Sequence, residues 1–329
     1  MNLDKRNISL TDILFIYLYW SCLFKLKLII SFIKVCKLFR NHLSVTINII
    51  KKRYPIRGIL KNGNVVVLNN ESELSFYLNR SKEFVYNFAN DTISLSKYSF
   101  NDKTNITIHG GISNGEFINI FMNNFYKSVP VENKVVIDVG ANIGDSAIYF
   151  VLRGAKKVIC VEPFPRNYEL AKKNIEFNNL SSKISVILAG CSDRNGKIKI
   201  DPDYKSTDSS ILSHFKVGIE VPLMTLENIL NENNLRNDNS LILKIDCEGC
   251  EYRSILLADG AILRRFTHMV IEYHHGYKNL KKKLQDSNFK VSVTRPRTFS
   301  FTSDLIKQKL DYTVGLIFAK RDLSKIKDN

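Results

Sequence analysis

Residues 135–146, Val-Val-Ile-Asp-Val-Gly-Ala-Asn-Ile-Gly-Asp-Ser, constrain the fold more than any other stretch of the chain. An apolar run meets two glycines and then a helix-compatible segment, which predicts a strand, a tight turn and a helix in immediate succession. Asp138 and Gly140 stand where the strand ends, and Gly144 lets the helix pack close. A ligand can then rest against bare backbone and the helix N-terminus, the geometry of a nucleotide-binding edge. The spacing departs from the dinucleotide fingerprint G-x-G-x-x-G, because Asn142 stands where such a turn needs its second glycine.

From residue 134 the pattern of strand then helix recurs. Apolar, β-rich runs fall at 134–139, 157–162, 184–189, 241–246, 268–273, 289–294 and 313–319, with helical patterns at 166–178 and 250–258. This alternation predicts an α/β fold: a doubly wound, mostly parallel, seven-stranded Rossmann-like sheet with ligands at the carboxyl ends of its strands. Only a loop and a short helix separate the last two runs, so an antiparallel edge is expected there. Residues 54–113 read as a small β-rich lead-in, with runs at 64–68 and 104–109 between turn clusters. Phe117, Ile120, Phe121 and Phe125 predict a helix over 114–126, opening a main domain of residues 114–322 that a basic tail, 323–329, follows.

Charge sets the N-terminal segment apart. Of the net +16, residues 1–60 supply +9, eleven Lys and Arg against two Asp. Within residues 1–53 the stretch 13–24 is uncharged, Lys25 and Lys27 follow, and the apolar pattern then resumes to Phe39. The twelve uncharged residues are too few to span a bilayer. Extending the span to residue 36 places two lysines near its middle, at a cost of about 2.5–3.5 kcal/mol each. On a helix, Lys27, Lys34 and Lys37 share one face while Ile29, Phe32, Ile33, Val35, Cys36 and Phe39 occupy the other. That pattern predicts a hydrophobic and basic helix lying on an anionic membrane surface, with a true span and a soluble docking helix as alternatives. A cleaved signal peptide is disfavoured, since no small-residue cleavage site follows. Were the segment to span, Lys34, Lys37, Arg40, Lys51, Lys52 and Arg53 would keep the main domain on the cytoplasmic side. The six cysteines, Cys22, Cys36, Cys160, Cys191, Cys247 and Cys250, read as free thiols of a reducing compartment rather than a disulfide scaffold. The expected localisation is therefore cytoplasmic, at the inner membrane face.

Four further segments carry chemistry. Glu162 ends the second strand 22 residues after Gly140, where an acid accepts hydrogen bonds from the ribose hydroxyls of a nucleoside. After the third strand, Ala189-Gly-Cys-Ser-Asp193 forms a polar turn in which Asp193 either holds an adenine amino group or caps the turn. In Leu243-Lys-Ile-Asp-Cys-Glu-Gly-Cys-Glu251, Asp246 and Glu248 bring two carboxylates to the same sheet edge. They can take a proton from a hydroxyl, coordinate a divalent cation, or cap the next helix. The Cys247-x-x-Cys250 spacing lacks the second pair that a zinc site needs. The next strand delivers Glu272 and, on the same face, His274, a base near neutral pH.

Together these residues resemble the FkbM family of S-adenosylmethionine-dependent methyltransferases. The resemblance lies in Val136-Ile-Asp-Val-Gly-Ala-Asn-Ile-Gly-Asp145, Gly154-Ala-Lys-Lys-Val-Ile-Cys-Val-Glu-Pro-Phe164, Lys244-Ile-Asp-Cys-Glu-Gly-Cys-Glu251 and Ile271-Glu-Tyr-His274, in family order. It implies a class I methyltransferase fold and O-methylation of a hydroxyl on a sugar, glycan or natural product. Carried over, Asp138, Gly140, Asn142, Gly144, Glu162 and Asp193 would bind S-adenosylmethionine, while Asp246, Glu248 and His274 would line the acceptor site, with no metal assigned. Residues 201–215 are expected to cover that site.

Two rival classes remain. A nucleic-acid methyltransferase would suit the basic chain, but Asp246-Cys-Glu-Gly249 replaces the Asn/Asp-Pro-Pro-aromatic turn of base-amine enzymes, and its carboxylates repel phosphates. The other rival is a membrane-anchored glycan-binding or scaffold protein that keeps an inactive cofactor fold.

Overall fold

The computed structural model describes residues 29–61, 63, 65–78, 84–87, 90–95, 106–111, 116–202, 218–296, 314–322 and 324. Two compact units divide the chain, one within Leu14–Met122 and the other within Asn123–Asn329.

The N-terminal unit opens with a helix over residues 29–38 (α1), followed by α2 (His42–Ile50). An antiparallel pair, β1 (Ile56–Ile59) and β2 (Val65–Leu68), leads to α3 (Glu71–Leu78). A second antiparallel sheet joins β3 (Phe84–Asn87), β4 (Thr92–Leu95) and β5 (Ile106–His109), so the lead-in is β-rich as its turn clusters suggest. Val35, Phe39, Val45, Ile56, Leu60, Leu68 and Leu74 form a small core of their own. The apolar face expected on α1 is divided: Val35 and Phe39 turn inward, while Ile29, Phe32 and Ile33 are exposed. Among the described residues no helix is long and apolar enough to cross a membrane. The helix expected over 114–126 is shorter, a π-helical turn at Ile118–Met122 with Phe117 and Phe121 stacked 4.7 Å apart.

In the second unit the expected alternation holds. The order is β6 (Val135–Val139), α4 (Asp145–Leu152), β7 (Lys157–Glu162), α5 (Pro165–Phe177), β8 (Ile184–Leu188), β9 (Gly190–Cys191), β10 (Gly196–Ile200), β11 (Ile219–Met224), α6 (Leu226–Glu232), β12 (Leu241–Ile245), α7 (Cys250–Leu256), α8 (Gly260–Leu263), β13 (Phe266–Tyr273), α9 (Lys278–Asp286), β14 (Phe289–Val293) and β15 (Gly315–Arg321). Seven strands form one sheet in the order β14-β15-β13-β12-β6-β7-β8. Strands β12, β13, β6, β7 and β8 pair in parallel. The reversed strand is β15, which lies one place in from the edge and pairs antiparallel with both β13 and β14. Ile137, Val139, Ile159, Leu243, Ile245 and Ile271 centre the core, and β6 and β12 are buried at every position.

A second small sheet, β10-β11-β9, lies outside what the sequence pattern suggests. Its middle strand contains Pro222, a residue that ordinarily argues against a central strand. Most of the cover expected over 201–215 lies outside the described residues.

Candidate functional site

The site sits where the strand order reverses, between β6 and β12, whose carboxyl ends stand side by side. Gly140 adopts φ +73°, and a Cβ built there would lie 1.7 Å from the carbonyl oxygen of Asp246. The two turns thus meet backbone to backbone, which only glycine allows. The Asp246 amide donates to Val139 O at 3.0 Å and the Gly140 amide to Val161 O at 2.9 Å. Gly144, at φ +82°, brings the start of α4 against Ala171 of α5.

Asp138 lies near the carboxyl end of β6. It is fully buried, its Oδ1 lying 3.0 Å from Lys244 Nζ and its Oδ2 accepting from the Ser146 hydroxyl at 2.6 Å. Lys244 also donates to Gly140 O at 2.7 Å, so one ammonium ties the acid of β6 to the turn that follows it. Burial works to lower the lysine pKa, but Asp138 and then Asp246 outweigh it and hold the ammonium charged. Lys244 has no part in the expectations drawn from the sequence pattern. Its signal was present: a lysine inside Leu-Ile-Leu-Lys-Ile needs a buried counter-charge.

Glu162 ends β7 with 3% exposure. Its carboxylate accepts from the amides of Asn142 at 2.8 Å and Phe164 at 3.0 Å, with the Asn167 side chain as a third donor. Burial pushes its pKa up to about 7, against the pull of those amides. Asn142 contributes its amide and a left-handed backbone, φ +49°, to the turn. Asp193 accepts from the Ser192 hydroxyl at 2.9 Å and stands 3.8 Å from Arg253.

Across the junction, Asp246, Glu248 and His274 are brought together as expected. His274 is buried, with Nε2 3.3 Å from Glu248 Oε1 and 3.8 Å from Asp246 Oδ1. Its Nδ1 faces Glu251 Oε1 at 2.9 Å. Glu251 is fully buried and also accepts from the amides of Gly249 and His274. Burial acts to depress the His274 pKa, but Glu251 and Glu248 overcome it and raise the pKa well above the ordinary imidazole value. Burial also raises the Asp246 pKa, against the pull of Lys244 and His274.

The cysteines are not all the free thiols that their scatter along the sequence suggests. Cys247 and Cys250 form a disulfide, because Glu248 and Gly249, at φ +54° and +115°, fold the turn back until the two Cα atoms are 5.5 Å apart. Cys36, Cys160 and Cys191 are free.

S-adenosylmethionine fits the residues present. Glu162, with three donors, keeps about one of its four lone-pair positions for a ribose hydroxyl. Asp145, at the start of α4, has a buried Oδ2 without a hydrogen-bond partner, and burial pushes its pKa up to about 7. A parallel sheet with this order, a single reversed strand beside β13 and a glycine turn ending its first core strand define a class I S-adenosylmethionine-dependent methyltransferase fold. Residues 138–299 match the family model of the methyltransferase FkbM domain.

Among solved structures, the chain is similar to a candidate tRNA (m1A22) methyltransferase from Streptococcus pneumoniae bound to S-adenosyl-L-methionine, at 17% identity, over 62% of this chain and 73% of that one, with a TM-score of 0.38. It is also similar to TrmK of M. capricolum bound to S-adenosyl-homocysteine, at 13% identity over 61% and 68% with a TM-score of 0.36. A third likeness is to an rRNA methylase from Streptococcus thermophilus, at 12% identity over 62% and 96% with a TM-score of 0.37. Likenesses this distant say nothing of substrate. No curated protein matches the chain.

Proposed function

We propose that the protein transfers a methyl group from S-adenosylmethionine to a hydroxyl oxygen of a sugar, glycan or related small molecule. One observation carries the reading: Asp246, a carboxylate whose pKa burial raises, stands on the turn that touches the glycine turn of β6 through backbone. The cofactor supplies an electrophilic methyl on a sulfonium. Asp246 would receive the proton of the acceptor hydroxyl, and the sulfonium would supply the methyl to that oxygen and leave as S-adenosylhomocysteine. Lys244, 4.0 Å from Asp246 Oδ2, places a positive charge beside that carboxylate. Two carboxylates at the acceptor edge favour an uncharged hydroxyl over a phosphate backbone, and the family resemblance favours a sugar or glycan.

Asp246→Asn is expected to bind S-adenosylmethionine within a few-fold of wild type while transfer to the acceptor falls about 10²- to 10⁴-fold, the usual yield of a positioned base. Calorimetry for the first quantity and S-adenosylhomocysteine release for the second check this. Turnover retained in the variant would remove Asp246 from the role.

The N-terminal unit supports docking on an anionic membrane. Leu43, Ile47 and Ile50 lie at helical spacing on α2 and are 63%, 51% and 68% exposed, with Lys51, Lys52 and Arg53 exposed beside them. An apolar stripe bordered by cations is the pattern of an interfacial helix. The full chain should co-sediment with phosphatidylserine-containing vesicles and much less with phosphatidylcholine alone, and Leu43→Glu with Ile47→Glu should abolish the difference. Equal sedimentation of the variant and wild type would refute membrane docking by α2.

A further inference from the structure

Three electron-pair donors from two turns, those after β12 and β13, converge at the acceptor edge. A ligand oxygen of Asp246, one of Glu248 and a ring nitrogen of His274 all lie within 4.8 Å of one another. The side chains of Asp246 and Glu248 are 19% and 20% exposed and that of His274 is 2%, so the cluster has a buried floor and an open mouth.

The floor is built for orientation. Glu251 is wholly buried and its carboxylate can only accept, so His274 Nδ1 carries the hydrogen between them. Glu251 is itself fixed by the amides of Gly249 and His274 at 2.8 and 3.2 Å. Nε2 is thereby aimed at Glu248 and Asp246. A carboxylate behind a histidine whose other nitrogen faces more carboxylates is the arrangement that orients a metal-ligating imidazole. A proton on Nε2 satisfies one of the facing carboxylates, whereas a divalent cation satisfies all three donors together.

We propose that Asp246, Glu248 and His274 hold a divalent cation, with Glu251 as the positioning residue behind the histidine, and that the acceptor hydroxyl joins the cation at its open side. The cation's part in transfer rests on the function proposed above; its binding does not. Two carboxylates and one imidazole suit manganese, iron or zinc better than calcium, which prefers all-oxygen surroundings. Bound there, the hydroxyl would lose its proton more readily to Asp246, and its orientation toward the glycine turn would be fixed.

Manganese(II) added to the chelator-treated full chain, followed by the loss of the free-ion paramagnetic resonance signal, tests the site without any acceptor. One saturable site is expected, weakened at least about tenfold in Glu248→Gln and about 10- to 100-fold in Glu251→Gln. Circular dichroism and S-adenosylmethionine binding of the same variants, unchanged, would show that they fold. Absence of a saturable site in wild type, or wild-type affinity in folded Glu248→Gln, overturns the proposal. Full transfer to a hydroxyl acceptor in excess chelator would overturn the cation while sparing the methyltransferase reading. A saturable site in a chain that methylates no hydroxyl would do the reverse.

Discussion

Gly140→Ala should lose S-adenosylmethionine binding by about 100-fold or more and destabilise the domain. The methyl would have to occupy a point 1.7 Å from Asp246 O and 2.7 Å from its carbonyl carbon, atoms of a neighbouring main chain that has no flexible end to swing away. The left-handed φ adds roughly 1–2 kcal/mol and the overpacking about 1–3 kcal/mol more, and each 1.4 kcal/mol is tenfold in affinity if the strain is relieved by opening the site. Gly144→Ala is the internal comparison. Its Cβ would meet the Ala171 methyl at 3.3 Å, a contact that can relax, so its effect should be clearly smaller. Calorimetric affinities in the order wild type, Gly144→Ala, Gly140→Ala would bear out the backbone junction; equal losses in the two variants would not.

Lys244→Met is expected to cost about 3–5 kcal/mol of stability, the usual consequence of removing one partner from a buried ion pair. Asp138, fully buried, would keep only the Ser146 hydroxyl, and Gly140 O would lose the donor that holds the turn. In a unit of this size the change corresponds to a fall in Tm on the order of 10 °C. Adding Asp138→Asn should recover a substantial part, because the stranded charge is then gone. A single variant within about 1 kcal/mol of wild type in urea denaturation would show that the pair does not carry the junction.

Much of this junction could be read from the residues. The seven core strands announce themselves as apolar runs between glycine and asparagine turns, and Gly140, Asn142, Glu162, Asp246, Glu248 and His274 all stand at strand ends, where the parallel topology gathers them. Harder to read was the difference between residues that face a ligand and residues that hold those residues in place. Asp138, Lys244 and Glu251 are conspicuous polar side chains in apolar segments, but only the pairing of β6 with β12, with Asp138 directly opposite Lys244, shows that they serve each other and the turns. The β10-β11-β9 sheet escaped because β9 has two residues and β11 contains a proline. The disulfide escaped because its closeness depends on two successive left-handed residues, Glu248 and Gly249, not on the spacing of the cysteines.

The bond from Lys244 to Gly140 O joins residues 104 positions apart. Closing a chain of that length costs about 4 kcal/mol of entropy before any contact offsets it, on the (3/2)RT ln n scaling. The glycine turn is therefore not a self-contained motif that a nascent half-domain could use. It acquires its final shape only when the second half of the sheet docks, so a ligand at this edge recognises a completed fold rather than a local sequence, and its binding free energy stabilises the union of the two halves.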